Sequence, residues 1–165
     1  KVHNQTNIAF ITGPIHETSS KRRLEGYKNS LLRNNIEIND NFIKIGEWNN
    51  SSGYKLIKEL FSQKEKATSI FTASSTMALG VLKALKEIGL KAPEDIRLVS
   101  FDNLDFTEAT QPPLTTINKV EEKIGKEAAN MLLRKIKDKD LNNYEEVYIP
   151  MEIVIRESCG CSNIQ

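Results

Sequence analysis

The sequence predicts an α/β fold: a doubly wound parallel sheet with helices on both faces. Three observations carry this. Short apolar runs alternate with segments whose apolar residues recur at helical spacing. One run, Ile96 to Phe101, is apolar enough to be a central strand buried on both faces. No repeat, low-complexity tract or long linker breaks the order, so right-handed crossovers can bring successive strands side by side in parallel.

The elements follow in turn. Ile8 to Ile11 is a strand ending at Thr12-Gly13-Pro14. Ser19 and Ser20 are placed to cap a helix with Leu24, Tyr27, Leu31 and Leu32 on its core face, stopping near Asn34-Asn35. Phe42 to Ile45 is a second strand, closed by Gly46, and a helix from about Gly53 buries Tyr54, Ile57, Leu60 and Phe61. Thr68 to Thr72 is the third strand. Ser74-Ser75 then cap a helix over Thr76 to Ile88, Gly89 supplies a left-handed stop, and Pro93 bars continuation. Ile96 to Phe101 is the fourth strand. Beyond it, Leu114 to Ile117 is a short strand, and Val120, Ile124, Ala128, Leu132 and Ile136 form an i, i+4 stripe on one helix. Glu121 and Glu122 at its start and Lys135, Lys137 and Lys139 near its end suit the helix dipole. Val147, Ile149, Met151, Ile153 and Ile155 recur with a period of two, a strand that Pro150 confines to an edge or a break.

Composition narrows the function. A chain of 165 residues can bury one sizeable core. Its net charge of +1 gives no electrostatic case for gripping nucleic acid directly. No apolar run approaches the ~18 residues of a membrane span, and Lys1-Val2-His3-Asn4 lacks the form of a signal peptide. Cys159 and Cys161 are too close for an unstrained disulfide, and His3 and His16 stand isolated. The pair reads as a reduced, inert tail of a cytoplasmic protein, with no metal site.

Ligands of open parallel sheets bind beyond the carboxyl ends of the strands. Those ends carry Gly13-Pro14, Gly46-Glu47-Trp48, Ala73-Ser74-Ser75 and Asp102-Asn103. Arg23 joins them from the first turn of its helix, where the dipole disfavours a cation. Acid, amide, hydroxyls and indole on one rim suit a small polar or polyhydroxylated ligand. Each residue alone has a plainer reading: Asp102 as a turn cap, Trp48 as packing, Arg23 as part of a solvated run, His16 as an exposed loop residue. Enzyme signatures are missing. There is no Gly-x-Gly-x-x-Gly after a strand, no phosphate-binding Gly-x-x-x-x-Gly-Lys, and no Gly-x-Ser-x-Gly elbow. The chain is therefore expected to be no enzyme and to use no cofactor. The helix over Thr76 to Ile88 is apolar well beyond one face, since Met77, Leu79, Val81 and Ala84 widen the Ala78, Leu82, Leu85 and Ile88 stripe. Deep burial in a monomer and burial on a partner subunit explain that equally well.

Taken together, the segments resemble the C-terminal part of the effector-binding core of LacI/GalR-family transcriptional regulators. The pieces are Ile8 to Pro14, Arg23-Leu24-Glu25-Gly26-Tyr27, Thr76-Met77-Ala78-Leu79-Gly80, Pro93-Glu94-Asp95-Ile96, Val99 to Asn103, Pro113 to Ile117 and Ile155-Arg156-Glu157-Ser158. The resemblance spans about His3 to Ser158 and implies a two-lobed, periplasmic-binding-protein-like core that closes on a small effector, often a sugar. It implies effector contacts from Arg23 and Asp102, an aromatic plate from Trp48 and a pocket-lining Ser19. It puts Ser74-Ser75 where the family commonly has Asn-Asp, and Lys119 where an effector-binding amide is familiar. Fewer amides and an added cation make an anionic or phosphorylated effector the expectation.

The resemblance also implies a homodimer, and the wide apolar arc makes Met77, Leu79, Val81 and Ala84, together with Tyr54, the expected interface residues. Operator DNA would be reached only through an N-terminal helix-turn-helix that this sequence does not contain. Residues 1–117 would form the C-terminal effector-binding lobe. Residues 118–150 would be a crossover helix and return segment of a second, largely absent lobe, 151–158 a return strand, and 159–165 a tail. On this division the apolar stripe of the crossover helix must be exposed, swapped or paired. The rival readings are an extracytoplasmic sugar-binding receptor of a transport system and an enzyme on a doubly wound sheet.

Overall fold

The computed structural model describes residues 4–138 and 144–161. His3, Lys139 and the last four residues of the tail lie outside them. Six strands form one sheet: β1 (Ile8–Thr12), β2 (Ile43–Ile45), β3 (Ser69–Thr72), β4 (Arg97–Phe101), β5 (Thr115–Asn118) and β6 (Glu152–Val154). Their order is β2-β1-β3-β4-β5-β6. The first five run parallel, and β6 pairs antiparallel with β5. The helices are α1 (Thr18–Arg33), α2 (Asn50–Ser62), α3 (Ser75–Glu87) and α4 (Glu121–Asp138). Strand order reverses between β1 and β3, and that switch point opens a crevice at their carboxyl ends.

Alternation along β1 divides the core. Ala9 and Ile11 point to the face covered by α2 and α3, where Ile57, Leu60, Met77, Val81, Ala84 and Leu85 pack with Ile70 and Leu98. Phe10 points the other way, and its ring stacks on Tyr27 of α1 at 5.0 Å. The Tyr27 hydroxyl donates to the Ile8 carbonyl at 2.7 Å and so ties α1 to β1. Burial, with Asp40 nearby, pushes this phenol up to about 12. The unfolded chain would lose the proton near 10. The contribution is therefore complete below about pH 10 and lost as pH rises toward 12. Stability measured over that window should fall more steeply in the wild type than in Tyr27→Phe.

Several boundaries differ from expectation. The cap of α1 is Glu17, not Ser19 or Ser20, and its side chain makes no capping bond. Ser20 lies buried inside the helix instead. α2 begins before Gly53 because the Asn49 side chain accepts from the Ser52 N–H at 2.8 Å and nucleates an earlier turn. The predicted strand around Pro150 shrinks to Glu152–Val154, since Pro150 has no N–H to offer a ladder.

The interface assigned to α3 needs a larger correction. Met77, Val81 and Ala84 are fully buried within the chain itself and cannot meet a partner. The cause is backbone proximity. A Cβ on Gly53 would lie 2.2 Å from the Met77 carbonyl oxygen, and one on Gly80 would lie 1.8 Å from the Asn50 carbonyl oxygen. With two glycines facing each other's helices, α2 and α3 sink together, and α3 is enclosed by helix and sheet at once. Tyr54 and Leu79 stay half-buried on the outer side.

The end of the return segment ties the sheet together. The Ser158 N–H donates to Pro113 O at 3.0 Å, and its carbonyl accepts from Leu98 N–H at 2.8 Å. Its hydroxyl donates to Leu98 O and accepts from Thr115 N–H, so one residue clamps β4 to β5. Cys159 is buried beside Thr115, and neither cysteine is in a disulfide. The stripe on α4 stays open: Ile124, Leu132, Leu133 and Ile136 are all exposed. Among the described residues, no helix is long and apolar enough to cross a membrane.

Candidate functional site

The switch-point crevice gathers side chains from four elements. Arg23, early in α1, donates from Nη1 to the Ala73 carbonyl at 2.6 Å, just past the end of β3. Its guanidinium carbon lies 3.8 Å from the Phe101 ring centre and 5.7 Å from that of Trp48. Two aromatic faces and one carbonyl thus fix a cation in place. Burial lowers the Arg23 pKa, and nearby Asp102 opposes that shift. Arginine remains charged regardless.

Trp48 owes its position to a glycine. A Cβ on Gly13 would fall 2.2 Å from the indole, so the ring lies directly on the backbone after β1. The indole Nε1 donates to Glu17 Oε2 at 2.7 Å, and Ser19 Oγ lies 3.5 Å from the same oxygen. Glu17 is a rim residue that sequence reasoning missed. An acid at the first position before a helix is the signal that could have found it.

Asp102 leaves β4 in a left-handed backbone conformation, φ 74°. Its N–H donates to Ile117 O at 3.1 Å, which holds it beside β5. Ser75 donates from Oγ to Phe101 O at 2.9 Å and lies against the Asp102 carbonyl. The Lys119 ammonium, just beyond β5, stands 2.6 Å from Asp102 Oδ1 as an ion pair. At that separation the ammonium and the carboxylate form a close, charge-assisted contact. Ser74 is on the same rim, but its hydroxyl accepts from Thr76 N–H at 3.2 Å and caps α3.

The structure therefore brings Arg23, Trp48, Asp102 and Lys119 to one rim, with Ser19 attached through Glu17 and Ser74 serving the helix. Two cations, Arg23 and Lys119, face two carboxylates, Asp102 and Glu17. A cavity of about 580 Å³ opens beside α1, lined by Ser19, Arg23, Tyr27, Phe71 and Phe101 among others. A second cleft of about 760 Å³ lies between Asp102 and the start of α4. Aromatic faces, a fixed cation and hydrogen-bonding carboxylates equip such a rim to hold a polar ligand. Among the described residues, no group of three or more His, Cys, Asp or Glu could hold a metal ion.

Sheet order, switch-point crevice and rim define a ligand-binding lobe of the periplasmic-binding-protein type. A family model described as a periplasmic binding protein-like domain matches residues 2–159. The HTH-type transcriptional repressor PurR of Haemophilus influenzae (strain PittEE) is 33% identical over 153 residues, covering 92% of this chain and 46% of the repressor. Two solved structures superpose closely. The transcriptional regulator CelR in complex with cellobiose has a TM-score of 0.84 and 29% identity, covering 95% of this chain and 48% of that one. The lac repressor dimer bound to operator and the anti-inducer ONPF has a TM-score of 0.84 and 27% identity, covering 94% of this chain and 53% of that one. The chain belongs to the periplasmic-binding-protein-like domain family, in the form found as the effector-binding core of LacI/GalR-type regulators. It spans about half the length of the curated relatives it matches.

Proposed function

We propose that this chain is the effector-binding and dimerisation region of a LacI-type transcriptional repressor that responds to a sugar or sugar derivative in the cytoplasm. The carrying observation is the rim, where Arg23 is held between Phe101 and Trp48 and faces Asp102. An aromatic plate takes the apolar face of a sugar ring, while carboxylate and guanidinium take its hydroxyls. The cellobiose bound by one structural neighbour and the operator bound by another support this reading. Residues 118–150 would lie with the second lobe, and 151–158 would return from it. Effector binding would favour one lobe arrangement and so change DNA affinity through a coupling between two sites. Operator contact would come from a helix-turn-helix outside this sequence. Tyr54 and Leu79 remain the candidates for the subunit contact.

Pairing of Lys119 with Asp102 engages the cation that motivated an anionic effector. A neutral polyhydroxylated ligand fits the balanced rim better. The receptor alternative lacks support, since the named relatives are regulators.

Trp48 is the sole tryptophan, so its emission reports on the site directly. Titration with a panel of sugars and sugar phosphates should change that emission saturably for at least one of them. Gly13→Ala, which expels the indole from its seat, should weaken the same ligand by more than about tenfold. A panel without any response, checked by calorimetry, would sink the effector reading.

A further inference from the structure

We propose that Lys119 is an internal competitor for the effector's anchor. Its ammonium occupies Asp102 in the empty site and withdraws into the acidic cleft beside α4 when ligand hydroxyls take the carboxylate. This rests on the effector reading above and adds what selects the ligand and what moves.

The first support is the quality of the ion pair. The Asp102 side chain is 18% exposed and that of Lys119 34%, so the carboxylate lies deeper than the lysine that pairs with it. At 2.6 Å the ammonium holds the same carboxylate oxygen that a ligand hydroxyl would need, so lysine and ligand compete for one acceptor.

The second support is a place for the displaced cation. Lys119 also lines the cleft of about 760 Å³, together with Asp105, Glu121, Glu122 and Glu152. Lys123 already pairs with Glu152 at 2.8 Å. Even so, carboxylates outnumber ammonium groups there once Asp102 is taken. A lysine side chain reaches this berth by rotation about its own flexible stem.

The third support is position. Lys119 falls between the end of β5 at Asn118 and the start of α4 at Glu121. The next residue, Val120, has φ 49°, a left-handed conformation that is costly for a β-branched side chain. Asn118 Oδ1 accepts from the Val120 N–H at 3.3 Å within this tight connection. Moving one positive charge from Asp102 to the first turn of α4 changes the electrostatics of the connection. The ligand thereby biases the crossover without touching it.

A lysine competing in this way selects a ligand class: neutral, with hydroxyl donors for Asp102. It is tested in the full chain by Trp48 fluorescence with D-glucose, cellobiose and glucose 6-phosphate on wild type, Lys119→Gln and Lys119→Arg. A neutral sugar should bind Lys119→Gln about fivefold more tightly than wild type, the upper range for a partly exposed pair. Wild-type affinity for that sugar should rise with added sodium chloride, because salt weakens the competitor, and Lys119→Gln should lose this dependence. Lys119→Arg should keep it. Equal or weaker binding of the neutral sugar by Lys119→Gln, with no salt effect in wild type, would overturn the proposal. So would a selective loss of the phosphorylated sugar in Lys119→Gln, which would make Lys119 an anion receptor. No response from any sugar with any variant would remove the effector reading itself.

Discussion

Gly80→Ala should destabilise the fold by about 3 kcal/mol, the severe end for overpacking. The added methyl would sit 1.8 Å from the Asn50 carbonyl oxygen and 2.6 Å from the Tyr54 backbone nitrogen. Both neighbours are helix backbone, so neither can rotate away. α2 must lift from α3, and Met77, Val81 and Ala84 must lose the contacts that bury them. For a domain of this size that corresponds to a drop of roughly 10 °C in melting temperature. Gly26→Ala is the internal control. It lies in α1 with nothing within 4 Å of the added carbon. The intrinsic helix preference should then raise stability by about 0.5 to 1 kcal/mol. Urea unfolding of both variants, one moving each way, checks the argument. A wild-type midpoint for Gly80→Ala would mean the helices are not in backbone contact.

The same pair of helices shows where sequence reading reached its limit. The strand and helix order was legible because each apolar run has its own period and its own stop, such as Gly89 with φ 78°. The width of the apolar arc on α3 was legible too. Its partner was not, because a face buried on α2 and a face buried on a second subunit have the same composition. Gly53 and Gly80 held the missing clue, since small residues on two neighbouring helices permit close approach. At the chain's end, the alternation from Val147 to Ile155 was equally clear. Only Glu152–Val154 found a neighbour in β5, and Val147, Met151, Ile153 and Ile155 stay exposed.

For the site, the topology did the work. Parallel strands put their carboxyl ends on one rim, so Trp48 and Asp102 met there as expected, and Arg23 followed from the start of α1. Pairwise contacts were harder. Asp102 meets Lys119 because Phe101 is in register with Ile117 on the adjacent strand, and register across a crossover cannot be read from spacing alone. Glu17 was missed for a different reason. It caps α1 without a capping bond, and its carboxylate turns to the Trp48 indole instead.

Arg23→Met should abolish effector binding while leaving the fold nearly intact, a loss of affinity of about 100-fold or more. Methionine keeps much of the volume between Phe101 and Trp48 but none of the donors. Two effects on stability oppose each other. Removing a half-buried cation relieves the desolvation that lowers its pKa, whereas the Ala73 carbonyl loses its 2.6 Å donor. The net change should stay within about 1 kcal/mol. Binding has no such compensation, because a ligand oxygen on this rim would lose a charged, pre-positioned partner. Arg23→Lys should recover only part of the affinity, since an ammonium cannot bond Ala73 and a ligand in the plane of a fork. Paired melting curves and Trp48 titrations separate the two quantities. Binding that survives in Arg23→Met would move the effector away from the Phe101–Trp48 clamp.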